Sequence, residues 1–316
     1  MKRTFVGLLL AVYIGGLMQP IKAQTKDNLK GEISLSGAFA LYPMVVKWAE
    51  EFKKIHPNVR IDISGGGAGK GMTDALAKVV DLGMVSRDVH DVEFKKGAVA
   101  FAVVKDAVVP TVNAANPLIR DIKAKGLKRN VALSLWSGKC KTWGNVLGTT
   151  SKVPVHVYTR SDACGAAETW AAWFGKRQED LEGTAVFGDP GVASAVQKDK
   201  VGIGFNNIAY AYDQKTRRPY AGLAIIPLDV NGNGKIDPEE KFYDNSLSLI
   251  KAIVSGKYPS PPARNLFLVS NGVPKKPEVI EFIKYILTEG QKYANATGYI
   301  GLSKTTINQE LAKLKK

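Results

Sequence analysis

The chain reads as an α/β protein in two regions, each alternating short strands with amphipathic helices. Three observations predict this. Apolar residues switch repeatedly between the two-residue period of a strand and the 3.6-residue period of a helix. Three times a strand-like run passes into a glycine or small-residue turn that opens a helical run. The 316 residues, 45% of them hydrophobic, are also enough for two ordinary domains.

The elements follow in order. Ile33 and Leu35 alternate as a strand, and Tyr42, Val45, Val46, Ala49 and Phe52 recur at helical spacing. Ile61 and Ile63 predict a second strand, which runs into Gly65-Gly66-Gly67-Ala68-Gly69-Lys70-Gly71. Met72, Ala75, Leu76, Val79 and Val80 predict a second helix, and Asp81 to Val85 a third strand. This βαβαβ order is the open α/β pattern, in which ligands lie at the carboxyl ends of the strands. A second region begins after Val99 to Val109, expected as an apolar strand pair ending at Pro110. It contains a strand over Val153 to Tyr158, a helix over Glu168 to Phe174, a helix at Ala193 to Val196 and a strand at Val201 to Phe205. Pro259, Pro261 and Pro262 punctuate a crossing ahead of a strand at Asn265 to Val269. Val279, Ile280, Phe282, Ile283, Ile286 and Leu287 give a strongly amphipathic helix.

The N-terminus has the form of a secretory signal. Lys2 and Arg3 precede an apolar stretch from Phe5 to Leu17, and Ile21-Lys22-Ala23 ends in a small residue before Gln24. The apolar stretch is short for a membrane span, and Gln24 rather than Cys follows the expected cut, so no lipid anchor is expected. Lys2, Arg3 and Lys22 supply three of the formal +15, leaving +12 for a mature chain. Its basic residues are scattered, with no aromatic-basic cluster for nucleic acid. Attraction of small anions or of a negative membrane surface fits better, beside the plainer reading of a basic, soluble surface. Cys140 and Cys164 would meet an oxidising compartment, where a disulfide is possible, but sequence does not show that their backbones approach.

Residues 229–240 match a twelve-position calcium loop of the EF-hand type. Asp229, Asn231 and Asn233 take positions 1, 3 and 5, Gly234 the sharp turn at 6, and the Lys235 carbonyl position 7. Asp237 serves position 9, and Glu240 supplies the bidentate carboxylate at 12. Asn and Gly also favour plain turns, but every ligand position is filled, and calcium is expected. A solitary loop braces a connection rather than sensing.

Three segments share one feature, a strand running into a small-residue turn at a helix start. They are Ser36 to Pro43, including Leu41 and Tyr42; Gly65 to Gly71, including Gly67, Ala68 and Gly69; and Arg160 to Ala166, including Cys164 and Gly165. Free amides with a helix dipole behind them favour an anion, and Arg160 adds a fork suited to a tetrahedral oxyanion. Arg160 can instead pair with Asp162, which can also orient it or cap the helix.

The order and spacing of these segments, with Asp81-Leu82-Gly83-Met84-Val85-Ser86-Arg87, closely resemble the phosphate-binding proteins of ABC phosphate importers. Leu135-Trp136-Ser137-Gly138-Lys139, Trp143, Val201-Gly202-Ile203-Gly204-Phe205 and Gly298-Tyr299-Ile300-Gly301-Leu302 extend the resemblance over most of the chain. It implies a type II periplasmic binding protein fold, with two α/β lobes joined by a two-strand hinge and the ligand in the cleft between them. Residues 24–108 and 262–316 would form one lobe and 109–261 the other, after a signal at 1–23. It further implies a periplasmic monomer that captures inorganic phosphate for a membrane permease and ATPase. Its site would include Leu41, Tyr42, Gly67, Ala68, Gly69, Ser86, Arg87, Arg160, Cys164, Gly165 and Ala166. The departures matter. Leu41, Ala68, Cys164 and Ala166 stand where the family often has hydroxyl residues, and Arg87 where many members carry the aspartate that accepts the proton of monohydrogen phosphate. Losing that acceptor weakens discrimination against sulfate-like or molybdate-like oxyanions. Arg87 can also pair with Asp88.

Enzymatic readings find little support. His56, His90 and His156 are isolated, and no hydrolase, metalloprotease or cofactor fingerprint occurs. A secreted, calcium-braced interaction protein is the main alternative; a Cys164–Arg160 phosphatase lacks the spacing and general acid it needs.

Overall fold

A computed structural model describes residues 28–315; the expected signal at 1–23 lies outside the described residues. The first half of lobe 1 runs β1 (Gly31–Gly37), α1 (Tyr42–Ile55), β2 (Val59–Gly65), α2 (Gly67–Leu76), β3 (Leu82–Val85), α3 (Asp91–Lys95) and β4 (Ala98–Asn113). Lobe 2 follows with α4 (Ile119–Lys125), α5 (Arg129–Trp136), α6 (Trp143–Leu147), β5 (His156–Arg160), α7 (Gly165–Trp173) and β6 (Thr184–Val186). It continues through α8 (Gly188–Lys198), β7 (Gly202–Asn207), α9 (Ile208–Ala211), β8 (Leu223–Ile225) and α10 (Ser246–Val254). The chain returns along β9 (Ala263–Asn271) and ends with α11 (Pro277–Leu287) and α12 (Lys304–Ala312).

The two lobes repeat one plan. In lobe 1, β2, β1 and β3 are parallel and β9 joins antiparallel to β3. In lobe 2, β6, β5 and β7 are parallel and β4 joins antiparallel to β7. Each lobe is therefore completed by a strand arriving from the other, and β4 and β9 form the two crossings. β4 changes partner between Ala107, which faces β9, and Val108, which faces β7.

Each lobe has its own core. Trp48, Phe52, Phe101 and Phe282 centre the first, and Trp136, Trp143, Trp170 and Phe205 the second. Fully burying one such side chain is worth about 1.5–3 kcal/mol or more. The indole N–H groups of Trp136 and Trp143 reach the carbonyls of Tyr158 and Val201, so these two are buried without polar cost, whereas the Trp170 N–H is buried without a partner.

Three sequence expectations need correction, the first being the strand expected over Val153 to Tyr158, which starts later as β5 at His156–Arg160. The second helix starts inside the glycine run and stops at Leu76, leaving Val79 exposed. Lys78 takes φ 57° and breaks the periodicity. Glycine is tolerated in this helix because it packs on strand backbone: a Cβ on Gly71 would stand 2.5 Å from the Met84 carbonyl oxygen. The expected strand pair ending at Pro110 is one strand of 16 residues. Only the Pro110 carbonyl is used on its β8 side, accepting from the Ile226 amide, so the missing N–H leaves no broken ladder.

Candidate functional site

Two of the three small-residue turns meet face to face between the lobes. Gly66 and Gly67 open α2 at φ 156° and 84°, and the contact itself leaves no room for a side chain. A Cβ on Gly67 would lie 2.7 Å from the Ala163 carbonyl oxygen and 2.8 Å from Asp162 Oδ2. The Gly69 amide donates across the cleft to the Ala163 carbonyl at 3.1 Å. A Cβ on Gly165 would lie 2.0 Å from the carbonyl oxygen of Ser86. Gly67 and Ala68 open α2, and Gly165 and Ala166 open α7. Such first-turn amides have no partner within their helices and sit at the positive ends of the dipoles.

Arg160 supplies the charge. It leaves the end of β5 with its side chain almost fully buried. Nε and Nη2 donate to the two oxygens of Asp162 at 2.8 and 2.6 Å, and Nη1 donates to Asp189 at 2.6 Å. Three of the five guanidinium N–H groups are thus engaged, and one on each Nη remains to offer. Burial opposes the charge, but Asp189 and Asp162 outweigh it and hold Arg160 firmly protonated. Burial likewise opposes the Asp162 carboxylate, and the bond from Arg160 holds it below the usual range. The Phe39 ring lies 5.9 Å from the Arg160 guanidinium and packs edge-on against exposed Phe187 across the cleft. Tyr210 donates its hydroxyl to the Phe39 carbonyl.

Other expected residues have different employment. The Leu41 and Tyr42 amides close their own turn onto the Ala38 carbonyl at 3.0 and 3.2 Å. Cys164 is the N-cap of α7, its sulfur accepting from the Ala167 amide; burial pushes its thiol up to about 12, so it is neutral. Cys164 and Cys140 are both free. Arg87 is held by carboxylates of both lobes. Glu93 grips it through two bonds of 2.9 and 2.7 Å, and Glu168 pairs with its Nε at 3.2 Å. Burial works against the guanidinium, and these carboxylates outweigh it and raise its pKa. Arg87 therefore clamps the lobes beside a cavity of about 910 Å³ that Glu168 and Arg264 also line. Sequence reasoning missed Asp189, whose signal was Gly188-Asp189-Pro190 opening α8, and missed Phe39, Phe187 and Tyr210, which carried none.

The loop at 229–240 folds around its own oxygens. Asp229 accepts from the Gly232 and Gly234 amides, each at 2.7 Å. Glu240 accepts from the amides of Val230, Asn231 and Asp237. The side-chain amides of Asn231 and Asn233 both approach Asp237 Oδ2, at 2.9 and 2.6 Å, and Lys235 Nζ lies 3.1 Å from Asp237 Oδ1. Among the described residues no three His, Cys, Asp or Glu side chains form a metal cluster by themselves; this loop depends on amide and carbonyl oxygens as well. The Ile236 amide ties it to the Ala124 carbonyl at the end of α4.

Two lobes with the same sheet plan, two crossings and facing helix starts define a two-lobed solute-binding protein. The family described as the PBP superfamily domain, PBP_like_2, matches residues 22–289, and the chain belongs to it. The phosphate-binding protein PstS of Staphylococcus aureus (strain USA300) is 24% identical over 297 residues, spanning 92% of this chain and 84% of the relative. PstS of Methanocaldococcus jannaschii is 28% identical over 349 residues, spanning 91% and 86%. Among solved structures, a Clostridium perfringens ABC transporter substrate-binding protein with bound phosphate superposes with TM-score 0.71 at 22% identity, covering 86% of this chain and all of that one. An ABC-type phosphate transport receptor from Vibrio cholerae gives 0.62 at 19%, covering 85% and 100%.

Proposed function

We propose that this protein captures inorganic phosphate between its lobes and delivers it to the permease and ATPase of an ABC importer. The observation that carries this reading is Arg160. Two carboxylates orient it, two N–H groups remain unused, and it lies where the starts of α2 and α7 meet. PstS relatives match nearly the whole chain, which favours phosphate over other oxyanions. The amides of Gly67, Ala68, Gly69, Gly165 and Ala166 would share the anion with Arg160, and Ser86 would line its wall. Gly69 would release the Ala163 carbonyl to do so. The protein binds and releases without chemistry, as an exported periplasmic monomer cleaved near Ala23/Gln24. Calorimetry against phosphate, sulfate and molybdate tests the reading. One-to-one phosphate binding is expected, and a sulfate or molybdate signal with silence toward phosphate would assign the cleft to that other oxyanion.

Calcium in the 229–240 loop is a second part of the proposal. Asp229, Asn231, Asn233, Asp237 and Glu240 would give side-chain oxygens and Lys235 its carbonyl. Near-complete burial of Asp229 and Glu240 on a polar surface loop supports it. The ion would brace the loop on α4 and take no part in anion binding.

A further inference from the structure

Behind the cleft, the two hinge strands carry a buried pair of opposite charges. Asp106 on β4 and Arg264 on β9 are direct cross-strand partners, and both are buried. Arg264 Nη2 lies 3.8 Å from Asp106 Oδ2 and donates to Asn207 Oδ1. Nη1 donates to the Gly165 carbonyl at 2.9 Å. Arg264 Nε and the Asn207 side-chain nitrogen have no hydrogen-bond partner, and the Asp106 oxygens have no well-formed one, only the nearby amides of Ala107 and Ile208 favouring its charge. Asn207 leads back to the site, since its amide donates to Asp189 Oδ1 and Asp189 Oδ2 holds Arg160.

The Gly165 carbonyl belongs to the same peptide unit as the Ala166 amide. In a trans peptide these two groups point in opposite directions. A cation bonded to the carbonyl therefore fixes the direction of the Ala166 N–H and polarises it as a donor. We propose that Arg264 is a positioning residue for the anion cleft, aiming and polarising the Gly165–Ala166 peptide from the hinge, and that Asp106 sets how much of its charge reaches that peptide. This inference rests on the cleft reading given under Proposed function.

Burial pushes the Asp106 carboxyl up to about 7. The titratable groups facing it are Arg264 from β9, Asp189 from α8, and the hydroxyls of Tyr210, Tyr258 and Tyr299; Arg264 and the Ala107 and Ile208 amides oppose the rise. While Asp106 is protonated, Arg264 acts with its full charge. Once it ionises, it offsets Arg264 and repels the anion.

The test compares wild type, Asp106→Asn and Arg264→Lys. Phosphate titrates in the same pH range, but the ratio of wild-type to Asp106→Asn Kd at each pH cancels that effect. The ratio is expected near one at pH 5.5, rising by about three- to tenfold above pH 7. Arg264→Lys keeps the charge and loses the fork, so it should weaken phosphate about tenfold at pH 6 while remaining folded. Ligand-free melting reads the proton alone. An acid with a raised native pKa loses stability between its unfolded and native values, so the Tm advantage of Asp106→Asn should grow from pH 4.5 to 7 and then level off. A flat Kd ratio beside that graded Tm difference overturns the inference and leaves the phosphate cleft intact. A flat Tm difference overturns the protonation role of Asp106. Wild type that does not bind phosphate overturns the function itself, whatever the melting curves show.

Discussion

The two lobes have the same sheet plan but bring different chemistry to the cleft. Lobe 1 offers backbone, namely the glycine-rich start of α2 and the Ser86 strand end, and its nearby cation Arg87 is turned onto Glu93 and Glu168. Lobe 2 offers charge, with Arg160 held between Asp162 and Asp189. The difference shows how such a site avoids collapse. In a closed form without ligand, a cation on each face would repel, whereas neutral amides on one side can close on a single, already paired guanidinium without that repulsion.

The strongest way to break that comparison is to remove the charge from lobe 2. Arg160→Ala is expected to weaken phosphate by about 2–4 kcal/mol, and it also leaves Asp162 and Asp189 buried without their cation. Arg160→Lys should recover only part, because the fork is lost. Calorimetry on folded variants decides; unchanged affinity in both would reduce Arg160 to a structural ion pair.

Calcium probes whether lobe 2 is braced independently of its site. At a hundredfold excess over Kd the ion should stabilise the fold by about 2.7 kcal/mol, and Asp229→Ala with Glu240→Ala should abolish the effect. Melting with calcium and with chelator measures it, followed by phosphate titration. An unchanged Tm in chelator makes the loop a plain turn, and loss of phosphate binding in chelator would contradict the bracing role.

Lobe 1 can be attacked through its backbone. Gly67→Ala places a methyl against Ala163 and Asp162 at positive φ. The contact lies between lobes, so opening relieves that part of it. Phosphate affinity should fall by about 1–3 kcal/mol, with a smaller change in Tm. Solution scattering with saturating phosphate should then show incomplete compaction; full closure would mean that the α2 start does not face the anion.

The smallest effect is expected from the interlobe clamp. Glu168→Gln removes the pairings of Arg87 and His90 across the cleft, but Glu93 still holds Arg87. Partly exposed pairs are worth about 0–1 kcal/mol, so affinity should change less than about fivefold. A larger loss would make the clamp a determinant of closure.

Sequence carried much of this because local physics wrote it. The α1 and α11 periodicities and the strands around Ile33 and Ile61 each need only neighbouring residues, and apolar spacing suffices to read them. Arg160 was legible for the same reason, as a fork at the end of a strand before a small-residue turn. The tertiary structure decided what depends on distant partners. Arg87 and Arg160 are chemically alike in sequence, each followed closely by an aspartate. Only packing placed Glu93 and Glu168 around one, and left the other with two free donors beside the α2 start. Likewise nothing near Asp106 announces Arg264, since they lie far apart in the chain and become partners only when β4 and β9 cross. A buried charge takes its role from the groups that replace its water, and those groups come from whichever elements the fold brings alongside.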